Sequence, residues 1–227
     1  ELKFDLIGQL DNLDRKDNVI IVIDSIGNLA SKKEMEDTMN EKSVADMSRA
    51  KALKGLFRMT TPYLAMKNIP LLAVNHTYME IGLFPKAIVG GGTGIYYSAD
   101  NIWIIGRRQN KTGTEVTGYD FVVNIEKSRY VKEKSKIPVT VSWEGGVEKY
   151  SGLLEVALAA GYVAKPSNGW YCRSDKETGE MMDPKYREKD TLKAEFWDPI
   201  FNETDFKEFI QKQYTIGHKT LIELDIE

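Results

Sequence analysis

Cysteine is nearly absent from the chain: Cys172 is the single one in 227 residues, and histidine occurs twice, at His76 and His218. One thiol closes no internal disulfide, and one thiol with two imidazoles does not assemble the usual Cys/His zinc cages. A reducing, cytosolic compartment is the default expectation. Long apolar runs are lacking as well. They stop at five residues, as in Val19 to Ile23, whereas a bilayer span needs roughly 20. Glu1 opens no signal peptide, so no membrane partner is expected. Charge of one sign is missing in bulk: 34 acids stand against 31 bases, a formal net charge of −3, so any polyanion must be served by local patches. Nor does the sequence contain a G-x-x-x-x-G-K-S/T phosphate loop, so by itself it cannot cradle a nucleoside triphosphate. What is present, 42% hydrophobic and 29% charged residues, suits a globular chain with room for one α/β domain and a small companion.

The apolar spacing lays out the elements. Leu2, Leu6, Leu10 and Leu13 recur at helical spacing with no capping residue ahead of them, so the chain is expected to open inside a helix and to be cut from something longer. Val19 to Ile23 is an unbroken β-branched run closed by Asp24-Ser25 and reads as a central parallel strand. Ser31 to Lys42 is dense in charge and reads as a mobile loop. Val44, Met47, Ala50, Leu53 and Thr60 then mark a helix that Pro62 interrupts or restarts. Leu71 to Val74 is a second buried run, ending in Asn75-His76, and completes a strand, helix, strand rhythm. Thr77 to Ser98, with four glycines in five positions from Gly90 to Gly94, reads as a long irregular loop. Asn101 to Arg107, Tyr119 to Glu126 and Pro138 to Trp143 read as three strands, the first two joined by a hairpin turn at Asn110 to Gly113. Helical spacing resumes beyond Gly146, where a domain boundary is expected.

Chemistry concentrates at the strand ends. In parallel α/β sheets ligands lie outside the carboxyl ends of the strands, where Asp24, Ser25, Asn75 and His76 fall. An acid at that place can hold Mg²⁺, directly or through water, or simply cap the next turn. Asn75-His76 can face a γ-phosphate, or be satisfied by nearby backbone. The glycine-rich loop offers backbone N–H groups to phosphates and, through Leu83, Phe84, Lys86, Ile88 and Tyr96-Tyr97, side chains to bases; its alternative is an ordinary surface loop packed by its tyrosines. From Arg107 to Lys136 eight bases stand against four acids. Within that stretch Lys127 and Arg129 are two residues apart and project from one face, positioned to clamp a polyanion or to reach a neighbouring subunit's nucleotide. Lys32, Lys33 and Lys42 are poorly specified phosphate contacts in a segment of mixed charge.

The order of these features, VIIVIDS, a loop, a helix, LLAVNH, a glycine-rich loop running into YYSADNIW, then NIEKSR and a small terminal domain, resembles the RecA family of strand-exchange recombinases, and within it the T4-type phage branch. The resemblance is specific from Val19 to Val147 and thins beyond. It implies an α/β fold: a RecA-like P-loop ATPase core with a mainly parallel sheet and antiparallel edge strands over residues 1–146, lacking its phosphate loop, and a small C-terminal α/β domain over 147–227. It implies ATP and Mg²⁺ as cofactors. Asp24 would be the Walker B aspartate with Ser25 beside it, Asn75 and His76 the γ-phosphate sensor, where the bacterial proteins carry glutamine, and Lys127 and Arg129 a pair acting across a subunit interface. Two loops, including Lys32, Lys33, Lys42, Phe84, Lys86, Gly90, Gly91, Gly92, Thr93, Gly94 and Tyr96, would bind DNA. Implied partners are single- and double-stranded DNA, further copies of the chain in a helical filament, and single-strand-binding and mediator proteins, in the cytoplasm of an infected host. Two rivals share parts of the pattern: a hexameric RecA-fold helicase, separated by closed rings instead of filaments, and a non-enzymatic DNA-binding mediator, separated by a native reading frame without a phosphate loop.

Overall fold

The computed structural model describes residues 2–40, 48–83 and 85–216, and for Thr112 its backbone only. Its contacts divide the chain into two compact units, with the division between Asp100 and Asn101. The fold is mixed α/β.

In the first unit α1 (Leu2–Asp11) and α3 (Ser48–Lys67) cover one face of a parallel pair, β1 (Ile21–Ile23) and β2 (Leu71–Ala73), registered Ile21 to Leu71 and Ile23 to Ala73. Strand alternation explains which residues are inside. Ile21, Ile23, Leu71 and Ala73 pack on the cluster of Leu6, Leu10, Ile26, Leu53, Leu56, Phe57, Ile69 and Ile95. Ile20, Val22, Leu72 and Val74 point the other way and are 60, 57, 52 and 42% exposed. The sequence reading of Val19 to Ile23 as buried on both faces therefore holds for one face among the described residues. Lys67 pins the helices together: its ammonium donates to the carbonyls of Leu10, Asp11 and Leu13, at the C-terminal end of α1 where backbone acceptors lack partners.

Three expectations for this unit change. The segment Ser31 to Lys42 is no plain loop, because it holds α2 (Lys32–Met39), started by a reciprocal cap in which Ser31 accepts from the Glu34 N–H and Glu34 accepts from the Ser31 N–H. Pro62 neither breaks nor restarts α3, which runs through it. The hydroxyls of Thr60 and Thr61 bond back to the carbonyls of Leu56 and Phe57 in the same turns. The stretch from Thr77 to Ser98 also carries regular structure, a short antiparallel pair of β3 (Thr77–Met79) and β4 (Ala87–Val89), then α4 (Thr93–Ser98).

The second unit begins with an antiparallel meander of β5 (Asn101–Thr112), β6 (Glu115–Ser128), β7 (Lys136–Ser142) and β8 (Gly146–Val147). The three expected strands are all present, and the hairpin turns at Gly113, whose φ of 65° lies in the left-handed region that favours glycine. Gly146 closes this sheet. Beyond it α5 (Leu153–Ala159), α6 (Ala194–Glu203) and α7 (Phe206–Tyr214) gather with the antiparallel strands β9 (Val163–Ser167), β10 (Trp170–Ser174) and β11 (Met181–Arg187). Their core is aromatic: Tyr150, Tyr162, Tyr171, Phe196, Trp197 and Phe206 are buried together, and the Trp197 indole donates to the Thr191 carbonyl. Large rings with one satisfied polar tip stabilise a small domain efficiently.

Candidate functional site

Parallel pairing puts the carboxyl ends of β1 and β2 side by side. The Val74 N–H donates to Ile23 at 2.9 Å and the Ile26 N–H donates to Val74 at 2.8 Å, so the Asp24-Ser25 turn and the Asn75-His76 turn leave the sheet at the same end. Asp24 is exposed there, and Ser25 is 6% exposed with a hydroxyl that has no hydrogen-bond partner. The chain then enters a 3₁₀ turn, Ile26–Asn28. Gly27 in that turn is the seat of the His76 ring: a methyl there would stand 2.3 Å from His76 Cδ2.

Asn75 and His76 are anchored to the glycine run. The Asn75 amide donates to the Gly90 carbonyl at 2.8 Å and accepts from the His76 N–H at 2.9 Å, while the Gly90 N–H donates to the His76 carbonyl at 2.9 Å. The backbone of the pair is thus fixed and its imidazole is left exposed at the strand end. The glycines have a packing role that the sequence did not disclose. A side chain on Gly91 would meet Ile95 and Leu53, one on Gly92 would touch Ala50 at 3.4 Å, and one on Gly94 would meet Lys54 at 2.7 Å. Gly91 and Gly92 also take φ of 85° and 84°, so they admit other residues only with strain. The run lays α4 against α3: Gly94 is buried and Gly91 half-buried against it, while Gly92 stays exposed beside Ala50.

Of the other expected DNA contacts, Lys32, Lys33 and Lys86 are exposed, with Lys32 3.7 Å from Glu36. Thr93 is exposed at the start of α4, and Tyr96 is half-buried with its ring edge-on to Tyr97 at 6.1 Å. Lys42 and Phe84 lie outside the described residues, as does His218.

In the second unit Lys127 stands opposite Ile102 near the end of β6, and Arg129 follows one residue past the strand. Ser128 between them sets the turn. Its hydroxyl bonds to the Asn101 side chain at 2.7 Å and accepts from the N–H groups of Tyr130 and Val131, and its own N–H donates to Glu133. A short hydroxyl followed by two accepting contacts to backbone is a known turn former, but K-S-R offers no periodic signal by which to find it.

Chemically, one exposed carboxylate beside a buried hydroxyl suits magnesium in part, since Mg²⁺ keeps several waters and takes one or two carboxylates together with phosphate oxygens. Among the described residues no cluster of three or more His, Cys, Asp or Glu could hold a metal unaided. The first unit therefore presents an exposed carboxylate, a buried hydroxyl and an exposed imidazole at one strand end, and the second unit a basic strand end.

These features define an α/β protein with an acid-ended parallel strand, an Asn-His strand end tied to a glycine run, and an aromatic terminal domain. Over residues 150–210 the chain matches the family described as bacteriophage T4 recombination and repair protein, C-terminal domain. It is 52% identical over 221 residues to the recombination and repair protein of Enterobacteria phage T4, a match covering 96% of this chain and 56% of that protein. It is 25% identical over 164 residues to RecA of Paracoccus denitrificans, covering 71% of this chain and 45% of that one. With the mitochondrial DNA repair protein recA homolog of Dictyostelium discoideum it shares 26% over 164 residues, 69% of this chain and 34% of the other. The chain is thus similar to the T4 recombination and repair protein over 96% of its own length and, more distantly, to RecA over 71% of it. It spans about half the length of the curated relatives it matches.

Proposed function

We propose that this chain is the ATPase core, without its first elements, and the C-terminal domain of a recombination and repair protein that polymerises on single-stranded DNA and promotes homologous pairing and strand exchange. The observation that carries this is the identity of 52% across 96% of the chain to the T4 recombination and repair protein, together with the acid-ended parallel strand beside Asn75-His76. On this reading residues 1–146 belong to a RecA-like core whose sheet is mainly parallel with antiparallel edge strands, and residues 147–227 to a small α/β domain. The family match beginning at residue 150 and the aromatic core beginning at Tyr150 support that division.

The assignment makes ATP and Mg²⁺ the cofactors, with the metal supplying charge neutralisation at the transferred phosphoryl group. Asp24 would hold the metal's water shell or the metal itself, and Ser25 would lend its unpartnered hydroxyl to that shell. His76, held on Gly27 and Gly90, would offer a ring nitrogen toward the γ-phosphate. Lys127 and Arg129 would act in trans from a neighbouring copy, stabilising developing negative charge; lysine and arginine both serve that purpose, arginine with a planar fork. Lys32, Lys33 and Lys42, and the stretch from Phe84 and Lys86 through Tyr96, would face DNA, with Gly90 to Gly94 shaping that stretch and Thr93 and Tyr96 exposed or half-exposed along it. Single-strand-binding and mediator proteins are the expected helpers, in the cytoplasm of the infected cell. No helix among the described residues is long and apolar enough to cross a membrane.

The test is ATP hydrolysis, with and without single-stranded DNA, by the longest native chain containing this sequence. Stimulation by DNA is the expected result. Absence of hydrolysis in a chain that carries a phosphate loop would overturn the reading.

A further inference from the structure

Arg49, one residue into α3, reaches across to the turn that follows β1. Its Nη2 donates to the Ile26 carbonyl at 3.1 Å and to the Gly27 carbonyl at 2.5 Å, while its Nε is buried with no acceptor. Gly27 in turn seats the His76 ring. The next turn of the same helix presents Ala50, Leu53 and Lys54 to Gly92, Gly91 and Gly94 at 3.4, 3.2 and 2.7 Å from where their side chains would begin. Gly90 closes the circuit through its two backbone-level bonds to Asn75 and His76. The first two turns of α3 therefore touch the histidine from one side through Arg49 and Gly27, and from the other through the glycine run.

We propose that Arg49 is a positioning residue for His76, and that the start of α3 couples the order of the glycine run to the placement of that imidazole. The inference rests on the recombinase reading for its functional meaning and on the contacts above for its geometry. The physical grounds are threefold. A planar guanidinium can hold two carbonyls of a tight turn at once, which an ammonium on a flexible stem does not do with fixed geometry. The ring packs against a residue with no side chain, so a small displacement of the 3₁₀ turn moves its seat directly. Gly91, Gly92 and Gly94 leave no room for a side chain, because a β-carbon on any of them would stand 2.7–3.4 Å from α3. Coupling of this kind travels through contiguous contacts that shift together.

Two measurements test it. The first needs no nucleotide: imidazole ¹H–¹⁵N correlation spectra of His76 in a His218→Gln background, for the chain with Arg49, Arg49→Met and Arg49→Lys. Arg49→Met is expected to shift and broaden the His76 signals, Arg49→Lys to recover part of the change, and Gly27→Ala to move the same signals with Arg49 intact. Should Arg49→Met fail to fold, Arg49→Gln is read in its place. Unchanged His76 signals in a folded Met or Gln variant overturn the proposal, whatever the enzyme does. The second measurement is DNA-stimulated ATP hydrolysis in the longest native chain. There Arg49→Met is expected to lose at least tenfold in kcat, with KM for ATP and binding of single-stranded DNA little changed, and with partial rescue by lysine. Full stimulation in the variant overturns the coupling and leaves the recombinase reading intact. A parent chain that shows no hydrolysis overturns that reading, and the coupling with it, while the spectra still judge the Arg49 contact.

Discussion

Lys127 and His76 are the side chains on which the proposed chemistry turns. Replacing Lys127 by alanine removes a cation at the end of β6, outside both buried apolar clusters, so the fold is expected to persist. A cation supplied across an interface to a transferring phosphoryl group contributes on the order of 10³-fold or more to the rate. Lys127→Ala in the longest native chain is therefore expected to abolish DNA-stimulated hydrolysis while its thermal midpoint stays within experimental scatter. Retained full hydrolysis would remove Lys127 from the mechanism. Asp24, Asn75 and His76 were legible in the sequence because a hydrophobic strand that stops at polar residues marks the ligand end of a parallel sheet. Arg49, Gly27 and Ser128 were not. Their roles come from contacts between residues far apart in sequence, or from a turn whose signature is one hydroxyl, and periodicity carries neither.

At the scale of elements, the largest difference between expectation and structure is α2. Five of its eight residues are charged and its two apolar ones are methionines, which hides a helix from hydrophobic periodicity, while S-K-K-E at its start is the capping signal that places one there. Ser31→Ala is expected to cost about 1 kcal/mol locally and to speed amide exchange through Lys32–Met39 and, through the lost hydroxyl contact to Ser48, at the very start of α3, with the rest of α3 little changed. Equal exchange in the two proteins would show that the cap does not hold the helix. The glycine run was read as conformational freedom, and Gly91 and Gly92 do require it. Gly94 does not, since it lies inside α4 with ordinary helical backbone. Alanine in an exposed helix would stabilise by about 1 kcal/mol, but here the added methyl meets the near end of the Lys54 side chain at 2.7 Å. Gly94→Ala is expected to destabilise instead, by about 1–3 kcal/mol as for an overpacked core, read from the urea midpoint. A stabilised variant would mean that α4 is free to step away from α3.

At the scale of the molecule, the terminal domain closes through a small polar network. Asp205 accepts from the Tyr162 hydroxyl at 2.7 Å and from the Lys176 ammonium at 2.5 Å, linking the end of β10 to the start of α7. The Lys176 hydrogen bond, followed by that of Tyr162, holds the Asp205 carboxyl below the ordinary value of 3.8. Its contribution is thus complete above that value and drains away as pH falls through the lower folded one. Lys176 is held above 10.5, first by its hydrogen bond to Asp205, so its contribution is present below 10.5 and lost as pH climbs past the raised value. Burial, then the bond to Asp205, raises the Tyr162 phenol above 10.0, and it acts in the same alkaline direction. Asp205→Asn is expected to lower the thermal midpoint near neutrality and to flatten both limbs, the acid one below about pH 4 and the alkaline one above about pH 10. Because the pair is partly exposed, the effect should shrink in molar salt. Unaltered limbs in the variant would remove this network from the domain's stability. The quaternary expectation is separate: electron micrographs of the longest native chain on single-stranded DNA should show filaments of variable length, and closed six-membered rings would favour the helicase alternative.

The outward side of β1 and β2 has a practical consequence. Ile20, Val22, Leu72 and Val74 form a strip of exposed aliphatic side chains, and among the described residues β1 and β2 pair with each other and with no further strand. Such a surface recruits further strands. A preparation of these 227 residues alone should brighten an apolar-surface dye such as ANS and scatter more light as its concentration rises. Lysine at Val22 and Leu72 should suppress both signals, which makes that pair of substitutions the first step toward a sample fit for spectroscopy.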